Sequence, residues 1–279
     1  MDRLALFDTH THFDVPDFDA DREHLAYEAK AAGVEKLVLI GFVESRFNDL
    51  VDTHHYINSL KDAPESYLAP GLHPFYIEQH QFSDLDRLEN LLKTHESVAV
   101  GEIGLDTLLK QHKQPEVFQK QQDYFSAQLE LAAQHHKPVL LHIRKAHADV
   151  LNLLKKHKFK LGGIAHAFSG GIEEAKAFVN LGFKLGITGQ VTNPNAKKLR
   201  KVVQDIGPEH LVIETDCPDM TPLCCQTSTE QRTRNVPGNL TYVLDELSVI
   251  FGISHEELAK TLWHNSFTAL HISQKPTKN

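Results

Sequence analysis

The chain has 279 residues, of which 41% are apolar and 24% charged, with 15 Gly and 12 Pro. That composition excludes extended disorder and collagen-like or low-complexity architecture. The formal charge of −8 gives no global field that would attract nucleic acid, so a polyanionic substrate would need local cations or bound metal.

Apolar runs of four to eight residues recur along the chain, each followed by an amphipathic stretch. The runs at 4–8, 36–42, 67–72, 98–103, 138–143, 163–167, 183–188 and 211–215 read as strands. Several are apolar at consecutive positions, as in Leu37-Val38-Leu39-Ile40 and Val139-Leu140-Leu141. Parallel strands buried on both faces have that pattern. Between them, Leu25, Ala29 and Ala32 share a helical face, as do Phe118, Phe125, Leu129 and Ala132. Ile172, Ala175 and Val179, then Leu199, Val202, Val203 and Ile206, and finally Val243, Leu244, Leu247, Ile250 and Phe251 repeat the pattern. Ser254 opens a last helix, with Glu257 three residues on as a capping box.

Strands alternating with helices imply a parallel sheet, and eight repeats are the number that closes a (β/α)₈ barrel. The expected architecture is therefore α/β, a TIM barrel, as one domain over residues 1–279. An open doubly wound sheet is the alternative, disfavoured because no glycine-rich phosphate turn follows the first strand. The stretch 218–238, rich in Thr, Pro, Asn and Arg, reads as a loop over the active face. No apolar run is long enough for a membrane span, and the first residues lack a secretory signal's basic flank and apolar core. With only Cys217, Cys224 and Cys225, a disulfide framework is excluded, and a reducing, cytoplasmic location is expected.

The unusual count is 19 His. On the predicted frame His10 and His12 follow strand one, His73 ends strand three, and Glu102 ends strand four. His142 ends strand five, His166 strand six and Asp216 strand eight. All strand C-termini of a barrel meet at one rim, where active sites lie. Residues i and i+2 of a strand point the same way, so His10 and His12 can grip one ion. A carboxylate such as Glu102 has two oxygens and can bridge two. Mixed imidazole and carboxylate ligation suits Zn, Mn, Fe, Ni or Co better than Ca. Two such ions would clamp the attacking and leaving oxygens of a displacement and activate water.

At these residues the chain resembles a known family. His10-x-His12, Gly71-x-His73-Pro74, Gly101-Glu102-Ile103-Gly104-Leu105-Asp106, Leu141-His142-x-Arg144, His166-x-Phe168-Ser169-Gly170 and Glu214-Thr215-Asp216-x-Pro218 are similar to the successive signatures of the TatD metal-dependent hydrolases, of the amidohydrolase-like superfamily. Asp216-Cys217-Pro218-Asp219-Met220 and Thr188-Gly189-Gln190 resemble its YjjV-type branch. The resemblance implies a deoxyribonuclease of 3′–5′ exonuclease type with two divalent ions (Zn, Mn, Mg, Ni, Co or Fe). His10, His12, Glu102 and Asp216 would hold the first ion, and Glu102, His142 and His166 the second. Asp216 would also orient or deprotonate the hydrolytic water, making Glu102 and Asp216 the catalytic pair. His73, Arg144 and Ser169 would contact the substrate phosphate. The implied partners are DNA ends or short single-stranded nucleic acid, with no membrane and no obligate protein partner. Two positions depart from the family pattern: Val236, where an acidic residue is frequent, and Ala167, where a cysteine is.

Other readings stay open at this level. The same metals would serve an esterase or amidase, such as an aminoacyl-tRNA deacylase. A non-catalytic nucleic-acid-binding module would require lost ligand positions. Ser169 with Gly170-Gly171 also reads as the N-cap region of the next helix, and Asp106 as either a cleft residue or a turn residue.

Overall fold

A computed structural model describes residues 4–228 and 231–273. The first three residues of the segment read for a leader, two residues of the late loop and the last six of the predicted domain lie outside the described residues.

Eight parallel strands appear in chain order: β1 (Leu6–Thr11), β2 (Val34–Ile40), β3 (Glu65–Ala69), β4 (Val100–Asp106), β5 (Val139–Arg144), β6 (Gly163–Ala165), β7 (Phe183–Ile187) and β8 (Leu211–Ile213). They form a three-stranded sheet, β1-β2-β3, and a five-stranded sheet, β4 to β8. Backbone bonds join the two at both seams. Val98 N–H donates to Leu68 C=O and Gly101 N–H to Pro70 C=O, at 2.8 and 3.0 Å. Across the other seam, Asp216 N–H donates to His10 C=O and His12 N–H to Cys217 C=O, both at 2.9 Å. The ring of strands is thus closed, and the fold is the expected (β/α)₈ barrel rather than an open sheet.

Helices α1 (Arg22–Ala31), α2 (Phe47–Ser59), α3 (Ser83–Thr94), α4 (Pro115–Gln134), α5 (His147–Lys156), α6 (Ile172–Asn180), α7 (Lys197–Ile206), α8 (Leu240–Phe251) and α9 (His255–Ala269) surround it. Strand alternation divides the apolar residues into two cores. Leu37, Leu39, Val139, Leu141, Leu211 and Ile213 face the helices, whereas Val38, Ile40, Leu140, Ile164 and Val212 fill the barrel. Consecutive apolar residues are what this double burial demands.

Element ends differ from the sequence reading. β1 and β4 run further than expected, so His10 and Glu102 lie inside strands. β3, β6 and β8 stop earlier, so His73, His166 and Asp216 sit in the loops that follow. In β3 the cause is local: Pro70 has no N–H to continue the ladder. The extension of β1 is non-local, since it rests on pairing with β2 and on the seam with residues 216–217.

Candidate metal centre

Two register irregularities aim the polar residues. In β1, pairing shifts between Asp8 and Thr11. His10 and His12 therefore fall out of phase with Phe7, which points into the barrel core. In β4 the shift lies between Val100 and Ile103, and Glu102 turns inward while Ile103 and Leu105 face the helices. Bulges of this kind re-aim side chains beside active sites. β5 needs none, because His142 is in phase with Leu140. Gly104 permits the close approach of β4 to β5: its φ is +144°, and a Cβ there would lie 2.0 Å from the His142 carbonyl oxygen.

The six residues expected to hold metal come together at the C-terminal rim. Glu102 is central, with its two oxygens facing different imidazoles. Oε2 lies 3.1 Å from His10 Nε2 and 3.6 Å from His12 Nε2. Oε1 lies 2.7 Å from His142 Nδ1, 3.2 Å from His73 Nε2 and 4.0 Å from His166 Nε2. Asp216 completes the ring, 3.7 Å from both His10 Nε2 and His12 Nε2 and 3.6 Å from His166 Nε2. The rings of His10 and His166 stack at 3.4 Å between centroids.

The electrostatics suit a cation. His10 is 1% exposed, its Nε2 faces only the carboxylates of Glu102 and Asp216, and its Nδ1 has no hydrogen-bond partner among the described residues; a buried polar atom left so is costly unless something else meets it. Although burial opposes charge, hydrogen bonds with Asp106 and Glu102 raise the His142 pKa to about 9. Burial likewise opposes charge on His166, yet Glu214, Asp216 and Glu102 hold its pKa well above the ordinary value. Glu102 remains ionised despite full burial because His73, His10 and His166 surround it.

The outer partners of the rings decide which nitrogen faces inward. His12 Nδ1 donates to Ile40 C=O at 3.3 Å. His142 Nε2 donates to Asp106 Oδ2 at 2.9 Å. His166 Nδ1 faces Glu214 Oε1 at 2.9 Å. For His12 and His142 an outer acceptor takes one N–H, so that each ring, once neutral, turns its other nitrogen's lone pair to the cluster, as in metal sites generally; His166 Nδ1 faces Glu214 without a hydrogen bond. His73 is reversed: the Phe75 N–H donates to its Nδ1 at 2.9 Å. Burial lowers the His73 pKa to about 4, so its single proton sits on Nε2 and points at Glu102. Although His73, Glu102 and His142 have donor atoms close enough to share an ion, His73 presents a hydrogen-bond donor there rather than a lone pair. The sets His10-Glu102-His166 and His10-His12-Asp216 carry no such conflict.

A cavity of about 620 Å³ opens over the cluster. Arg144, exposed at the end of β5, and Ser169, exposed after β6, line it. The following helix is capped at Gly171, whose N–H donates to Glu174, so Ser169 is not the cap. The sequence reading assigned no role to Glu214 and left Asp106 undecided. Both are fully buried. Their signals were present, as the polar residues of Glu214-Thr215-Asp216 and Gly104-Leu105-Asp106, but which ring each would meet depends on the folded geometry. The late loop is held by Arg234, which donates to Asp21 at 3.0 and 2.6 Å. Asn235 Nδ2 donates to Thr215 C=O at 2.9 Å.

The model of the family described as TatD related DNase matches residues 7–271. The chain belongs to the TatD family. It is 34% identical to the uncharacterized metal-dependent hydrolase YjjV of Escherichia coli K12 over 96% of this chain and 98% of that one. A crystal structure of E. coli YjjV, a TatD homologue, superposes with a TM-score of 0.85 over 96% of this chain and 98% of that one, at 32% identity. The 3′–5′ ssDNA/RNA exonuclease TatD of Pantoea vagans is 29% identical over 96% of this chain and 100% of its own. The chain is thus a metal-dependent hydrolase with a (β/α)₈ barrel, carrying buried His, Glu and Asp clusters able to bind metal. No helix among the described residues is long and apolar enough to cross a membrane.

Proposed function

We propose that this chain is a nuclease that hydrolyses phosphodiesters at the ends of DNA or short single-stranded nucleic acid, acting as a 3′–5′ exonuclease. Its work would be done within one domain spanning residues 1–279, in a reducing cytoplasm. The observation that carries the reading is Glu102, whose two carboxylate oxygens face two groups of imidazoles and so suit a bridge between two ions. His10, His12, Glu102 and Asp216 would hold one ion, and Glu102, His142 and His166 the other. Divalent ions bound there would supply a nucleophilic water at neutral pH and offset the charge of the reacting phosphoryl group.

The chain's own residues do the rest. Asp216 holds a carboxylate oxygen at the mouth of the cavity, where it orients the attacking water and accepts its proton. His73 lines the cavity beside Glu102 and would sit near the substrate phosphate. Arg144 gives a charged donor at the rim, which compensates locally for the net acidity of the chain. Ser169 extends the polar lining to the strand leaving the site. The exonuclease TatD from P. vagans supports the choice of substrate.

The test is hydrolysis of a labelled single strand by protein loaded with each divalent metal, with and without chelator. Cleavage that requires metal and proceeds from the 3′ end supports the reading, whereas full activity in chelator would sink it. The ester-hydrolase reading is separated by Arg144→Ala. That change lowers phosphodiester cleavage about tenfold or more if phosphate is the substrate, and leaves a neutral ester unaffected.

A further inference from the structure

One wall of the cavity over the cluster is aromatic. Phe42 follows β2, Phe75 and Tyr76 lie in the turn after His73, and all three line the same space as Glu102 and Arg144. The centroids of Phe42 and Tyr76 are 5.5 Å apart, and those of Phe75 and Tyr76 5.3 Å. Phe75 is 38% exposed. Single exposed apolar residues are ordinary, but three joined rings beside a polar centre form a surface. That surface is fixed relative to the centre, because the Phe75 backbone that carries one ring also donates to His73. The Arg46 guanidinium lies 5.9 Å from the Phe42 ring centroid.

We propose that this ledge stacks an unpaired nucleobase of the strand whose backbone enters the cluster. The proposal rests on the phosphodiesterase reading and adds the surface that would hold a base beside the reacting phosphate. Every base has a π-face, so stacking on aromatic rings is tolerant of sequence and strengthens single-strand binding. A base inside a duplex has both faces covered by its neighbours and cannot lie on the ledge. Among the described residues the Arg144 side chain has no acidic partner, which leaves it free to meet the phosphate beside that base.

Stopped-flow mixing of metal-loaded, full-length protein with a short strand carrying 2-aminopurine at its 3′ end reads stacking before turnover. The expected result is a fast fluorescence quench in the wild type. In the Phe75→Leu/Tyr76→Leu variant, which keeps apolar bulk, the quench disappears and Kd rises about tenfold. A second measurement needs no variant: the wild type should bind a strand ending in a base about tenfold more tightly than one ending in an abasic residue. Equal affinity for the two ends, or an unchanged quench in the folded double variant, would overturn the ledge. The two readings fail separately, because a quench without any cleavage removes the nuclease and keeps the ledge, while cleavage without a quench removes the ledge alone.

Discussion

The two ends of the barrel are built from opposite materials. At the N-terminal end, Phe7 meets Trp263 and Phe267 of α9 with centroids 6.0 and 5.7 Å apart, and Tyr67 adds a fourth ring 5.7 Å from Phe7. Val38, Leu140, Ile164 and Val212 continue this apolar plug through the barrel. At the C-terminal end the same strands, a few residues later, deliver His10, Glu102, His142, His166 and Asp216 into one cluster. The plug stabilises the fold by burying apolar area. The cluster does the reverse, since it holds buried charges that only a cation or a proton can balance. Stability and chemistry are therefore separated along the barrel axis.

That contrast can be broken at either end. Glu102→Ala removes the central carboxylate, and metal-dependent hydrolysis should fall about 10⁴-fold or more, as when a residue acting as part of a unit is lost. Its thermal unfolding without metal should stay near wild type. At the other end, Phe267→Ala leaves a cavity in the plug and should cost about 3–5 kcal/mol in denaturant unfolding. The molecules that remain folded should keep wild-type turnover. A large loss of turnover per folded molecule would mean that the two ends are coupled.

Smaller effects sharpen the boundary of the cluster. Asp106→Ala removes the acceptor for His142 Nε2 and frees that ring to turn. Metal affinity, read by competition with a chelator, should weaken about 10- to 100-fold. Glu214→Gln should act in the same direction on His166. The pH dependence follows from His142, whose pKa is raised to about 9 in the protein without a cation. The ring is protonated at neutral pH, so metal entry must release that proton. Apparent affinity should therefore rise with pH up to about 9, by about tenfold per unit for each proton displaced, and isothermal titration in buffers of different ionisation enthalpy would count those protons. Affinity independent of pH between 6 and 9 would contradict the assignment.

Much of this arrangement was legible along the chain, because strand alternation is a short-range property. His142 keeps the phase of Leu140, and the consecutive apolar residues of β2 and β5 announced burial on both faces. The rest was not legible because it depends on contacts between distant segments. The shifts that turn His10, His12 and Glu102 inward arise in pairing with neighbouring strands. The tautomer of His73 is set by the Phe75 backbone in a turn that the sequence reading placed at a strand end. The ring partners of Asp106 and Glu214, and the shared exposure of Phe42, Phe75 and Tyr76, exist only once the barrel closes.

The central claim is that residues scattered from position 10 to position 216 form one cage for two cations. Elemental analysis after metal loading and removal of excess ion tests it most directly, with Glu102→Ala measured beside the wild type. The account predicts two equivalents per chain in the wild type and loss of tight binding at both positions in the variant. Two equivalents retained by the variant, or none bound by the wild type, would contradict it.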